Sequence, residues 1–317
     1  MIGRICGTGS YIPSHRMDNV ELSSLVLVDT SDEWIWERTG IQSRHLAKQE
    51  TVSFMAAKAA EEALADSGLK AEEIDLILVA TSSSETVFPN TSCEVQKAIG
   101  AVHAWGYDLN AACSGFILAL NTAQSYIRSG LVKTALVIGA EKMSRIVDWK
   151  DRGTCILFGD GAGAVVLRGE ESESAEVVYT AMAHSAGDKG EALTLQYGTE
   201  ETPVIRMDGQ AVFKFAVRKV PEIIEEMLKK ADVSREDVDY FVLHQANRRI
   251  IEAAAKRVGV EIEKFPMNLG EYANTSAASV PILLNEMNRD GKLKRGQKII
   301  LAGFGAGLTW AGCLMEW

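Results

Sequence analysis

The chain is written twice. Glu73-Ile74-Asp75-Leu76-Ile77-Leu78-Val79-Ala80 has a counterpart in Asp237-Val238-Asp239-Tyr240-Phe241-Val242-Leu243-His244. Each is an acidic turn followed by an apolar run of strand character. Each follows an amphipathic helical pattern, Val52 to Ser67 in one case and Ala211 to Ala231 in the other. Ala111-Ala112-Cys113-Ser114 pairs in the same way with Ala273-Asn274-Thr275-Ser276. Both open an apolar helix, the first ending near Ser129-Gly130 and the second near Asp290-Gly291. Both helices lead through a short Lys-bearing loop to a strand, Ala135 to Gly139 and Lys298 to Gly303. The offset of about 160 residues predicts two halves, 1–170 and 171–317.

Short β-branched strands alternating with helices predict an α/β fold of largely parallel sheets covered by helices. Phe116, Ile117, Leu118, Ala119, Leu120, Ala123 and Ile127 cover most of the circumference of the helix after Cys113, so it is buried on all sides. Two such central helices imply two sheets sandwiching a helical layer. Pro281 fits only in the first turn of the second helix. The chemistry lies where the halves differ. Cys113 has Thr275 as its counterpart and Ala80 has His244, at strand and helix ends that line the ligand crevice in open parallel sheets.

By residue type alone, Cys113 reads as a buried core cysteine, His244 as a satisfied strand-end histidine and Asn274 as a helix N-cap. The competing reading is chemical. A thiol at a helix N-terminus is favoured as thiolate, and the repeat brings the ends bearing Cys113 and Asn274 face to face. A thiolate, an imidazole and a carboxamide together make a nucleophile with two hydrogen-bond donors.

Composition narrows the alternatives. With 33 basic against 43 acidic residues the net charge is −10, which argues against nucleic-acid binding. An acidic partner would have to dock on a local basic patch. No apolar run reaches membrane-spanning length, and no signal-peptide pattern opens the chain. Five scattered cysteines, an odd number, cannot form a full intrachain disulfide framework, so a reducing cytoplasm is expected. No metal-ligand spacing occurs. Gly159-x-Gly161-x-Gly163 precedes a strand and does not open a helix, so it reads as tight packing and not as a dinucleotide site.

Seven motifs in order carry a family resemblance: Asp29-Thr30-Ser31-Asp32-Glu33-Trp34, Arg38-Thr39-Gly40-Ile41, Ala111-Ala112-Cys113-Ser114-Gly115-Phe116, Phe158-Gly159-Asp160-Gly161-Ala162-Gly163-Ala164, His244-Gln245-Ala246-Asn247, Asn274-Thr275-Ser276-Ala277-Ala278-Ser279-Val280-Pro281 and Gly303-Phe304-Gly305-Ala306-Gly307. With them the whole chain resembles the thiolase-superfamily condensing enzymes of the β-ketoacyl-(acyl-carrier-protein) synthase III type. The resemblance implies a thiolase-like α-β-α-β-α sandwich. It implies acyl transfer from acyl-CoA to Cys113, then decarboxylative condensation with malonyl-acyl carrier protein, initiating fatty acid biosynthesis. CoA thioesters are the substrates, no cofactor is expected, and a homodimer is.

The same resemblance distributes the roles. Cys113 is the nucleophile, assisted by His244, and the backbone N–H groups of Cys113 and Ala306 form the oxyanion site. His244 and Asn274 hold the enolate, and Phe213 screens the site from water. Trp34 and Arg152 surround the CoA adenine, with Arg38 and Thr39 nearby, and Asn247 bonds the pantetheine arm. Thr30 to Glu33 reads as a capping box opening the helix that carries Trp34. Lys214, Arg248, Arg249, Lys256 and Arg257 form a basic face for the acidic carrier protein. Phe88, Leu157, Leu195 and Ile205 are candidates for the acyl pocket, Phe88 by reaching that of a partner subunit. Ala306 and Ala273 stand where relatives have Gly, so the Ala306 turn must avoid positive φ.

Three rivals remain at this level. A degradative thiolase needs a second cysteine, and Cys313 is the only late one. A 3-hydroxy-3-methylglutaryl-CoA synthase needs a carboxylate base, for which Glu85 is the candidate. A non-catalytic acyl-binding protein needs no nucleophile at all.

Overall fold

The structure is a computed structural model and describes residues 1–26, 28–171, 179–196 and 203–317. Along the first half run β1 (Ile2–Tyr11), β2 (Arg16–Asp18), α1 (Asn19–Leu25), α2 (Asp32–Thr39), β3 (Ser43–His45), α3 (Val52–Ser67), β4 (Leu76–Ala80), α4 (Thr91–Ile99), β5 (Trp105–Leu109), α5 (Gly115–Arg128), β6 (Thr134–Lys142), α6 (Arg152–Cys155) and β7 (Asp160–Glu170). The second half supplies β8 (Tyr179–Ser185), β9 (Leu193–Leu195), β10 (Ile205–Met207), α7 (Gly209–Ala231), β11 (Tyr240–Leu243), α8 (Arg248–Val258), α9 (Leu269–Tyr272), α10 (Ser279–Arg289), β12 (Lys298–Gly305) and β13 (Thr309–Glu316).

One sheet has the order β1-β7-β6-β4-β5, the other β11-β12-β13-β8. Strand alternation divides their side chains between layers. Ile77 and Val79 of β4 face out into a core with α3, while Leu76 and Leu78 face in against α5. Val242 and Leu301 of the second sheet meet the same central layer from the other side, with Val280, Leu283 and Leu284 of α10. Phe241, Leu243 and Ile300 face out, toward Ile223 and Ile224 of α7 and Ile251 and Ala254 of α8. The result is the five-layered α-β-α-β-α sandwich. Gly139 and Gly163 let α10 approach the first sheet. A Cβ on either would fall 2.2 Å from Ala277 O or 2.5 Å from Ile282 N.

Two expectations need correction. The sheets are mixed. β4 is parallel to β5 and β6, and β11 to β12, but β1, β7, β13 and β8 all pair antiparallel. The turn from Gly305 to Thr309 is too short for a crossover, so β12 and β13 form a hairpin. The repeat offset is 164 residues, with β4 (76–80) onto β11 (240–243), α5 from 115 onto α10 from 279, and β6 from 134 onto β12 from 298. Cys113 is therefore equivalent to Ala277, not Thr275. The positive φ angles of Ala112 (46°) and Ser276 (50°) mark the same turn in each half.

Candidate active site

Each half enters its central helix through a tight 3-10 turn, Ala112–Ser114 before α5 and Ser276–Ala278 before α10. A Cβ built on Gly303 of β12 would lie 3.5 Å from both Cys113 O and His244 Cβ, so β12 threads between the two. Cys113, His244 and Asn274 line one cavity of about 580 Å³, together with Trp34, Arg38, Thr39, Arg152, Leu157, Phe213, Asn247, Arg249, Phe304 and Gly305.

The thiol is not the resting thiolate that a helix N-terminus predicts. Burial pushes Cys113 up to about 12, outweighing its hydrogen bonding, and the buried Glu141 carboxylate pushes the same way. Its Sγ lies 3.4 Å from Ser276 Oγ. His244 is neutral, because burial drives it down to about 3. Ser279 Oγ accepts the Gln245 N–H at 3.4 Å and lies 2.7 Å from His244 Nδ1. When the Ser279 hydroxyl donates to Nδ1, the imidazole hydrogen is left on Nε2 as a donor. Phe304 packs edge-on against the ring at 5.4 Å.

Asn274 is fixed through both its side chain and its backbone. Its Oδ1 accepts the Ser276 N–H at 2.8 Å, while its backbone is clamped by Leu157 O (2.9 Å) and the Gly159 N–H (3.0 Å). With Oδ1 held, Nδ2 is oriented as the free donor. The N-cap reading is corrected: Thr275 holds that position, and the Asn274 side chain instead closes a turn onto Ser276 ahead of it.

At the outer end, α2 starts one residue later than the capping-box reading. Ser31, not Thr30, accepts the Trp34 N–H. The guanidiniums of Arg38 and Arg152 lie 4.6 and 4.5 Å from the Trp34 ring centroid, and Arg152 also donates to Asp29 O at 2.8 Å. Thr39 lines the cavity, but its hydroxyl is occupied by Ile35 O (2.6 Å) and the Ile41 N–H (3.0 Å). Asn247 caps α8 through the Arg249 N–H (2.9 Å) and donates to Arg38 O (3.0 Å), so one amide hydrogen remains. Phe213 lines the cavity beneath Arg249, whose guanidinium sits 5.4 Å from its ring. Ala306 takes no positive φ and follows Gly305, which is the residue of this turn that lines the cavity.

Of the basic set, Lys214, Arg249, Lys256 and Arg257 are exposed. Arg248 instead lies over Trp36 at 4.5 Å and near Glu252 at 3.5 Å. The acyl-pocket set is only partly brought to this cavity. Leu157 lines the cavity, but Leu195 and Ile205 do not; Leu193 and Met207, the next pair along the same face of the β9–β10 ribbon, line it instead. Ile205 is bound in the core through Ile146 O. Phe88 is 85% exposed and lies outside the cavity of its own chain. Glu85 accepts the Val52 N–H at the start of α3, and Cys313 is buried in β13; neither lines the cavity.

Sequence reasoning missed Glu141, Ser276 and Ser279. Ser276 and Ser279 lay inside one of the seven motifs. Glu141 left one trace, a carboxylate directly after the apolar run Ala135 to Ala140.

Comparison with known proteins gives the same assignment. Residues 107–187 match the 3-oxoacyl-[acyl-carrier-protein] synthase III family, and residues 228–317 match its C-terminal family. The chain is 47% identical over 323 residues to the β-ketoacyl-[acyl-carrier-protein] synthase III of Clostridium acetobutylicum, covering 99% of this chain and 98% of that protein. It is 47% identical to the Aquifex aeolicus protein of the same name, covering 99% of each. The crystal structure of the 3-oxoacyl-[acyl-carrier-protein] synthase III from Aquifex aeolicus superposes with a TM-score of 0.94, covering 99% of this chain and all of that one. The Pseudomonas aeruginosa enzyme, 37% identical, also gives 0.94, covering all of this chain and 98% of that one. A paired thiol, imidazole and carboxamide at the floor of a duplicated sandwich, matched by relatives over nearly its full length, places the chain in the β-ketoacyl-[acyl-carrier-protein] synthase III family.

Proposed function

We propose that Cys113 takes an acyl group from acyl-CoA and that the acyl-enzyme condenses with malonyl-acyl carrier protein, releasing CO₂ and giving the β-ketoacyl product that initiates fatty acid synthesis. The single observation that carries the assignment of residues is that Cys113, His244 and Asn274, from three separate elements, line one cavity. The thioester arrives with its carbonyl against the Cys113 turn, where the backbone N–H groups of Cys113 and Ala306 are the oxyanion donors. In the second half-reaction, loss of CO₂ leaves an enolate on the malonyl thioester oxygen. Neutral His244, through Nε2–H, and Asn274, through Nδ2–H, supply two donors to that oxygen in a water-poor site. A neutral imidazole keeps one N–H to donate and adds no charge to the buried site. The departing CO₂ leaves the carbanion behind, so the reaction calls on no cofactor.

The outer end of the cavity suits CoA. Trp34 offers an indole face to the adenine, on condition that Arg152 swings off it. Lys214 on α7 and Arg249, Lys256 and Arg257 on α8 supply a basic face beside Phe213 for the acidic carrier protein, against the net charge of −10. Leu157, Leu193 and Met207 bound the acyl group. A second copy of the chain is proposed to cover Val87 and Phe88, which are 89% and 85% exposed, and Trp105 on the edge strand β5.

Intact-protein mass spectrometry after incubation with a panel of acyl-CoAs tests the assignment. An acyl mass gain is expected in the native chain and absent from Cys113→Ser. Persistent acylation or condensation in that variant refutes it.

A further inference from the structure

We propose that Glu141 takes up the thiol proton of Cys113 through Ser276 and holds it for as long as Cys113 carries the acyl group. The inference deepens the proposed function and rests on Cys113 being the acylated nucleophile. Cys113 Sγ is 3.4 Å from Ser276 Oγ, which donates to Glu141 Oε1 at 2.9 Å. Glu141 Oε2 accepts from Ser83 Oγ, from the Ser82 N–H at 3.1 Å and from Thr81 Oγ1 at 3.3 Å.

The direction of these bonds follows from the backbone. Ser83 Oγ accepts the Lys142 N–H (2.8 Å) and Thr81 Oγ1 accepts the Ser83 N–H (3.2 Å), so each hydroxyl proton is left to point at the carboxylate. Ser276 occupies the same place in the array, but the donor behind it is the thiol. Burial raises the Glu141 carboxyl while the donors bonded to both its oxygens pull the other way, which makes it a group able to receive a proton. Among the described residues, no charged side chain bonds the carboxylate. Lys142 turns its Nζ away to Lys48 O and Glu50 O, and His244 across the cavity is neutral. Cys113 is the titratable group facing Glu141 from the second element, and the Ser276 turn supplies only a hydroxyl.

The electrostatic argument concerns total charge. Releasing the Cys113 proton to solvent would put a second negative charge in a site that already buries one. Passing it to Glu141 moves a single negative charge from carboxylate to sulfur and adds none. Burial raises both groups.

The step balances. The S–H bond breaks as Ser276 Oγ gains that proton and hands its own to Glu141. The thiolate then forms the C–S bond to the acyl carbon, and CoA leaves as its thiolate and is protonated by water. In the second half-reaction the enolate displaces Cys113, which leaves as thiolate and recovers the stored proton along the same path. Glu141 touches no substrate and is a positioning residue acting through Ser276.

Single-turnover acylation across about pH 6.5 to about 9 tests this. The native chain should acylate at a nearly constant rate, because no proton leaves the protein when the thiolate forms. Ser276→Ala and Glu141→Gln must release the proton to solvent, so their rates should rise about tenfold per pH unit, and Glu141→Asp should restore the flat profile in part. Infrared difference spectra of the native chain serve if Glu141→Gln fails to fold. A protonated-carboxyl band should appear on acylation and vanish on condensation. A flat profile in Ser276→Ala, or no such band, overturns the proposal while leaving Cys113 acylation intact. Absence of any acyl mass on Cys113 overturns the underlying reading as well.

Discussion

Gly305→Ala isolates the contact between β12 and the nucleophile turn. Gly305 does not take a positive φ, so alanine meets no conformational penalty there and the effect is steric. The new Cβ would fall 2.8 Å from Cys113 N and 3.1 Å from both Ala111 O and Ser114 N. All three are backbone atoms, which no side-chain rotation can clear. Restoring ordinary contact moves the strand and the Cys113 turn apart by roughly half an ångström, at a cost of about 1–3 kcal/mol in stability. The reacting sulfur and its oxyanion donors ride on that turn. A displacement of this size should slow acylation by roughly 10- to 100-fold. The CoA end of the cavity, formed by α2 and Arg152, is untouched, so KM for acyl-CoA should change less than threefold (about 0.6 kcal/mol). The assay is pre-steady-state acylation at saturating acyl-CoA, with thermal melting in parallel. A variant of native stability and native acylation rate would refute the claim that this backbone approach sets the nucleophile's position.

Three further outcomes follow from the geometry. His244 is buried neutral, near 3 against an ordinary 6.5. The unfolded chain therefore binds its proton first, and stability should fall as pH drops from about 6.5 toward 3, by up to about 1.4 kcal/mol per unit. His244→Ala should flatten that loss in an equilibrium denaturation series. Ala273 sits at φ 58° and ψ −156°, a conformation that suits glycine. Ala273→Gly should relieve strain by about 1 kcal/mol net and raise Tm by roughly 2 °C, with native acylation. Trp34→Ala should raise KM for acyl-CoA by about 10-fold with little change in kcat at saturation, since the indole face is remote from the reacting sulfur. An unchanged KM would take the adenine away from Trp34.

Local patterns carried much of this protein in its sequence. Helix periodicity and capping set α3, α5 and α10 within a few residues, because those signals involve neighbours along the chain. The repeat disclosed the two sheets and the central helical layer, and the motifs located Cys113, His244 and Asn274. What escaped depends on contacts between distant residues. The antiparallel β1–β7 and β13–β8 pairs join strands far apart in the chain, and the lining by Leu193 and Met207 depends on where the β9–β10 ribbon packs. The Glu141–Ser276 bond joins residues from opposite halves, and no local spacing announces it. The state of Cys113 is the sharpest case. Its place before a helix argued for a thiolate, a local effect. Burial in the assembled fold raises the thiol to about 12 in spite of its hydrogen bonds, an effect that only the tertiary structure discloses.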